Sequence, residues 1–160
     1  MLPLDEDLRA RWGATLAFVA IGVGCIIVGG LVAAVTGPTG FKDGSWAAAY
    51  LVLVAGVAQL GLGAGQALLA AEPPTRRLVI GELAAWNSGN VAVLAGTFLG
   101  SPLLVDAGGL ALVVALGLFL RGVRGSRVEG RWPLVLYRLL AGVVAVSIPV
   151  GLVLSALRHG

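Results

Sequence analysis

Glu82 is the residue in this sequence most able to do chemistry, because it stands inside a long apolar run and is followed at helical spacing by further polar residues. The run reads Leu-Val-Ile-Gly-Glu-Leu-Ala-Ala-Trp-Asn-Ser-Gly-Asn-Val-Ala-Val-Leu-Ala-Gly-Thr. At about 100° per residue, Glu82, Trp86, Gly89, Asn90, Val93, Gly96, Thr97 and Gly100 share one face, while Asn87 and Ser88 lie off it. A matching face precedes it, with Gln59, Gly63, Gln66 and Ala70 on one side and Gly61 and Gly65 beside it as a GxxxG step. Arg138 and Ser147 add polar groups to a later apolar run, and Thr97 and Asp106 lie toward the opposite end. Such residues in apolar surroundings either bind and relay a proton, ion or small solute, or serve as interhelical hydrogen-bonding glue.

Other chemistries find no footing. His159 is the single histidine and stands at the C-terminus, which excludes a bis-histidine haem, a di-metal site and a histidine-based triad within one chain. Glu82 and Asp106 fall near opposite faces of the membrane, so paired carboxylates for acid–base work are absent. There is no phosphate-cradling GxxxxGK[ST] and no dinucleotide fingerprint in a strand–helix context. Cys25 is the only cysteine and sits mid-segment, where it reads as a small packing residue. No catalytic residue, metal or cofactor is therefore expected. A quinone or lipid pocket lined by Trp86 and Tyr137 is left open by this reading.

The elements that must position these groups are five apolar stretches, roughly Ala14–Thr36, Trp46–Ala71, Arg77–Gly100, Pro102–Leu120 and Pro133–Leu157. A helix needs about 20 mostly apolar residues to cross a bilayer. Mean hydropathy of +0.97 leaves no room for a soluble domain. The expected fold is all-α: one transmembrane domain over residues 1–160, a bundle of five membrane-spanning helices. The acidic Asp5, Glu6 and Asp7 and the length of the first run argue against a cleaved signal peptide, and no lipidation motif stands at either end. Glycines, 25 in all, fall mostly within the spans and suit close helix packing.

Charge distribution orients the bundle. With five spans, one side holds Arg9, Arg11, Arg76, Arg77, Arg121, Arg124, Arg127 and Arg131, with Arg138 just inside the fifth span, against Lys42 and Arg158 on the other. Nine against two places the N-terminus in the cytoplasm and the C-terminus outside. Trp12 and Trp132 then fall at the inner interface and Trp46 at the outer. The net charge of +3 does not mark a nucleic-acid binder, since the arginines are scattered among loops. Arg121, Arg124, Arg127 and Arg131, in a glycine-rich loop, suit anionic lipid headgroups. Gly37-Pro38-Thr39-Gly40, Glu72-Pro73-Pro74-Thr75 and Gly100-Ser101-Pro102 read as turns, with Ser101 as N-cap and Pro102 at the first helical position. The third and fourth spans should form an antiparallel hairpin.

A rise of about 1.5 Å per residue then sets depth. Glu82 falls about 9 Å and Gln66 about 10 Å to the cytoplasmic side of their span centres, with Arg138 level with them. An ion pair of Glu82 with Arg138, supported by Gln66, is one expectation; the alternative leaves Glu82 near its helix N-terminus beside Arg76 and Arg77 while Arg138 snorkels. A second layer near the midplane would join Gln59, Asn87, Asn90 and Ser147.

The stretch Glu-Leu-Ala-Ala-Trp-Asn-Ser-Gly-Asn, then Ala-Gly-Thr and Val-Asp-Ala-Gly-Gly, resembles small multi-pass membrane proteins of actinobacterial, high-GC genomes, as does the ratio of ten arginines to one lysine. The resemblance spans the second to fourth runs and implies no activity. The function expected from the residues is that of a non-catalytic plasma-membrane protein, an accessory or assembly subunit of a larger membrane complex with a membrane-protein partner or second copy. The alternative is a small oligomeric transporter or channel using the polar face of spans two and three.

Overall fold

The computed structural model describes the backbone of residues 3–124 and 131–159, and side chains over 11–124 (Ala14 excepted) and 132–146. All the regular structure in it is helical. Helix α1 spans Pro3–Thr39, α2 Gly44–Leu69, α3 Arg76–Phe98, α4 Pro102–Gly122 and α5 Arg131–His159. Among the described residues, four segments are long and apolar enough to cross a membrane: Arg11–Thr39 of α1 and the whole of α2, α3 and α4. Within α5, Trp132–Val146 is an apolar helical stretch.

Loop chemistry explains where the helices stop. Gly100 takes a φ of 60°, a left-handed conformation that costs glycine little. From there Ser101 N–H donates to the Gly96 carbonyl at 2.8 Å and Gly100 N–H to that of Thr97 at 3.3 Å. This paired closure satisfies carbonyls at the end of α3. Pro102 then opens α4, where its missing N–H costs nothing. Ser101 occupies the N-cap position as expected, but its side chain makes no capping bond. The capping side chain is Thr75 at the head of α3, whose Oγ1 accepts from Leu78 N–H at 3.3 Å. Helix α1 runs through Pro38 to Thr39, beyond the expected turn, and Gly40 follows with a φ of 63°.

The helices pair as two antiparallel hairpins, α1 with α2 and α3 with α4, and α5 lies against α2 and α4. Each hairpin closes on glycines. In the first, a Cβ on Gly22 would stand 3.1 Å from the Gly56 carbonyl oxygen, and one on Gly29 3.0 Å from that of Ala48. In the second, a Cβ on Gly89 would lie 2.9 Å from the Gly108 oxygen, and one on Gly108 2.7 Å from that of Gly89. Gly61 and Gly65 do form a close-packing step: they receive Leu140 and the Tyr137 ring of α5. Gly24 and Gly30, by contrast, face nothing within 4 Å. Close backbone approach of this kind drives association where lipid removes the hydrophobic incentive.

Inside the bundle, the buried core joins Phe18 of α1, Leu62 of α2, Trp86 of α3, Leu112 and Phe119 of α4, and Tyr137 and Ala141 of α5. Residues Leu51–Ala58 of α2 are π-helical, and the helix returns to α geometry at Gln59.

Candidate intramembrane polar site

The site begins with one hydrogen bond. Gln66 Nε2 of α2 donates to Glu82 Oε1 of α3 at 2.7 Å, and both side chains are buried, at 1% and 0% exposure. Helix α2 can bring Gln66 here because α4 offers no side chain opposite it. A Cβ on Gly122 would collide with Gln66 Nε2. From the far side comes Tyr137 of α5, whose ring lies on Gly65 and which is within electrostatic reach of Glu82. One turn along α3, Trp86 is fully buried and meets Phe119 edge to face at 6.1 Å; Phe119 meets Phe18 at 5.4 Å. Four helices thus wall in a single carboxyl group.

Arg138 is not part of this arrangement. Its side chain is exposed, and among the described residues no Lys or Arg reaches ion-pair distance of Glu82. The expected Glu82–Arg138 pair is therefore corrected. The face of α5 turned toward the bundle carries Tyr137 and Ala141, whereas Arg138 follows Tyr137 by one residue and points elsewhere, as helix geometry requires.

The remaining polar residues separate by partner. Asn90 Nδ2 donates to the Trp86 carbonyl of its own helix at 2.8 Å, and Asn87 Nδ2 to that of Leu83 at 2.9 Å. Gln59 is completely buried, with no hydrogen bond to either amide atom. By helix rise, Gln59 and Asn90 occupy a level about 10 Å along the bundle from Gln66 and Glu82. Asn87 does not join them across helices, and the side chain of Ser147 lies outside the described residues. Thr97 is exposed and bonded to its own helix at Val93, and Asp106 is exposed. Of the arginines expected to meet anionic headgroups, Arg121 and Arg124 are exposed; Arg127 and the side chain of Arg131 lie outside the described residues.

What unites the buried residues is unmet hydrogen-bonding capacity. Gln59 Nε2 and Oε1, Gln66 Oε1, Glu82 Oε2, Trp86 Nε1, Asn90 Oδ1 and the Tyr137 hydroxyl are all buried without a partner. Buried polar groups are ordinarily satisfied, and each exception calls for a cause. Four of these atoms are carboxyl or carboxamide oxygens, which accept hydrogen bonds or bind positive charge. Gln59 Nε2 and Trp86 Nε1 are donors and the Tyr137 hydroxyl is both, so the array offers both kinds of group with acceptor oxygens in the majority.

A further residue belongs to the site's frame. Arg11 is 6% exposed and donates from Nη1 to the carbonyls of Ala67 and Ala70, at 3.2 and 2.8 Å, and from Nη2 to that of Ala71 at 3.1 Å. The last carbonyls of a helix lack intrahelical partners and favour a cation. Arg11 thus fixes the end of α2 directly after Gln66. Read in sequence it counts only as a topology arginine; the available signal was its position just before an apolar run, facing a helix that Pro73 and Pro74 terminate. Phe18, Phe119 and Gly122 carry no sequence signal of their own.

No protein-family model, curated protein or solved structure matches this chain, so its own buried side chains are the basis for reading its function.

Proposed function

We propose that this chain is a small non-catalytic transporter or channel of the bacterial inner membrane, with the polar face of α2 and α3 as its binding path. On this reading it crosses the membrane five times, N-terminus inside and C-terminus outside, with α5 as the fifth span. The observation that carries it is Glu82: a fully buried carboxyl hydrogen-bonded to Gln66 and, among the described residues, one of seven with unmet buried polar atoms, Tyr50 included. Glue alone accounts for such a group poorly, since structural polar residues in membranes pair with one another. Gln59 lies two turns beyond Gln66 on the same α-helical segment and extends the polar face along the membrane normal. The test is flux. Purified chain in liposomes should pass a monovalent cation or small polar solute under an imposed gradient, and Glu82→Gln should reduce that flux to the background of empty liposomes. Equal flux in both would sink the reading.

A second reading, an accessory or assembly subunit of a larger membrane complex, draws on a different observation. Gly30 and Gly37 of α1, Gly117 of α4 and Gly142 of α5 present small surfaces with nothing within 4 Å. Faces of this kind suit close approach by another membrane helix. Native mass spectrometry of gently solubilised protein from its own membrane separates the readings. A stoichiometric partner supports the subunit; a partner-free homo-oligomer supports the transporter.

A further inference from the structure

The acceptor-rich site admits two kinds of positive charge, a metal ion or a proton, and its packing discriminates between them. Hard metal cations are held by about six or more oxygens in one shell. Here the oxygens divide into two levels: Glu82 Oε2 and Gln66 Oε1 near the Arg11 end, Gln59 Oε1 and Asn90 Oδ1 about 10 Å away. The first level is also tightly filled. Gly122 backbone abuts the Gln66 amide so closely that a methyl group would not fit, Tyr137 lies on Gly65, and Glu82, Trp86 and Phe119 are each at 0% exposure. A dehydrated ion would need both more ligands and more room. A proton needs neither.

We propose that Glu82 is a reversible proton-binding site, positioned by Gln66 and with Tyr137 within electrostatic reach. This deepens, and for its use rests on, the transport reading above: the species carried through or coupled at the bundle is a proton. Oε1 already accepts from Gln66 Nε2 at 2.7 Å, so the proton adds to the unpartnered Oε2. In uptake, a hydronium ion gives its proton to the carboxylate, forming the O–H bond and leaving water; release is the reverse. The groups that face Glu82 from the packed elements are few. Gln66 comes from α2 and Tyr137 from α5, while α4 contributes the uncharged Phe119 and Gly122. From α1, among the described side chains, the charge is that of Arg11, held on the α2 carbonyls one turn from Gln66. Arg76, Arg77, Arg121 and Arg138 are exposed. Among the described residues, a negative charge on Glu82 therefore has no cation directly on it, and protonation is the simplest compensation for a carboxyl in such a place.

The test is an infrared pH titration of the full chain in liposomes, alongside proton flux read by an entrapped pH dye. The expected result is a protonated-carboxyl band, sensitive to H/D exchange, that appears and disappears reversibly with pH and is missing from Glu82→Gln. If that variant does not fold, Tyr137→Phe and Glu82→Asp serve instead, and each should move the midpoint of the band. A band absent at every pH, or one that never titrates, overturns the proposal. So does a band that sodium or potassium removes at constant pH, which would make the site a metal-ion site. A titrating band with no proton flux upholds the proton site and overturns the transport reading. A titrating Glu82 band with proton flux unchanged in Glu82→Gln likewise upholds the proton site and overturns its use in transport.

Discussion

At the residue scale, two positions separate packing from polar chemistry. Gly122 faces the Gln66 amide, whereas Gly117, on the same helix, faces open space. Gly122→Ala should destabilise the protein by about 1–3 kcal/mol, the usual cost of overpacking, by displacing the Gln66–Glu82 bond. Gly117→Ala should be neutral or slightly stabilising, because alanine is the better helix former. Thermal unfolding in one detergent compares the two directly; equal effects would mean that Gly122 does not position Gln66. Arg11→Ala removes three charge-assisted bonds and should cost about 2 kcal/mol or more in the same measurement. Arg11→Lys should recover only part of the loss, since one ammonium cannot span the carbonyls that the guanidinium fork reaches.

How much of the site was legible follows from the same residues. Glu82, Gln66, Gln59 and Asn90 stand out because polarity inside an apolar run is conspicuous, and helical spacing puts them on facing sides. Arg138 misled for the same reason. A charge is equally conspicuous, but depth alone does not say which way a helix turns, and Tyr137 rather than Arg138 faces the bundle. The rotation of α5 is set by Tyr137 seating on Gly65 and Leu140 on Gly61, a contact between segments more than seventy residues apart that no local pattern encodes. Arg11 was hidden by its class: arginine beside a span is the ordinary topology signal, and its use as a helix cap depends on where another helix ends.

At the element scale, the helices themselves are readable from apolar length and turn residues, with most ends displaced by a few positions and the start of α1, at Pro3, eleven residues ahead of the expected Ala14. Helix α1 is the clearest displacement, since Pro38 falls in its last turn, where little of the hydrogen-bond ladder remains to be broken. The π-helical form of Leu51–Ala58 has no signature in the sequence. The α3–α4 hairpin, foreseen from the tight Gly100-Ser101-Pro102 link, meets backbone to backbone at Gly89 and Gly108. Leucine at either position should force these helices apart. Gly108→Leu is expected to lower the unfolding temperature far more than Gly81→Leu, whose site has only Leu118 nearby, at 3.6 Å from a Cβ.

At the scale of the whole molecule, orientation is the prediction to check. With Cys25 replaced by alanine, a cysteine at Lys42 should react with an impermeant reagent added outside intact cells. Cysteines at Thr75 or Arg124 should react only after the membrane is opened. The reverse pattern would invert the bundle and overturn the nine-to-two arginine argument. This matters for the proton site as well, because Gln66 and Glu82 lie toward the end that holds Arg11, Thr75 and Arg124. The proposed orientation makes that end cytoplasmic.

The bond from Arg11 to the end of α2 also bears on the order in which the chain assembles. It joins residues 59 and 60 positions apart, and everything it needs is present once Ala71 has been synthesised. The first hairpin can therefore latch before α3 enters the membrane, with Gln66 already held beside the fastened end. The second hairpin then closes on a nearly finished wall, and its Glu82 meets an amide that is waiting for it. An acidic side chain that would be expensive to insert alone would enter next to a donor already in place, so the N-terminal arginine acts as a guide for a later helix.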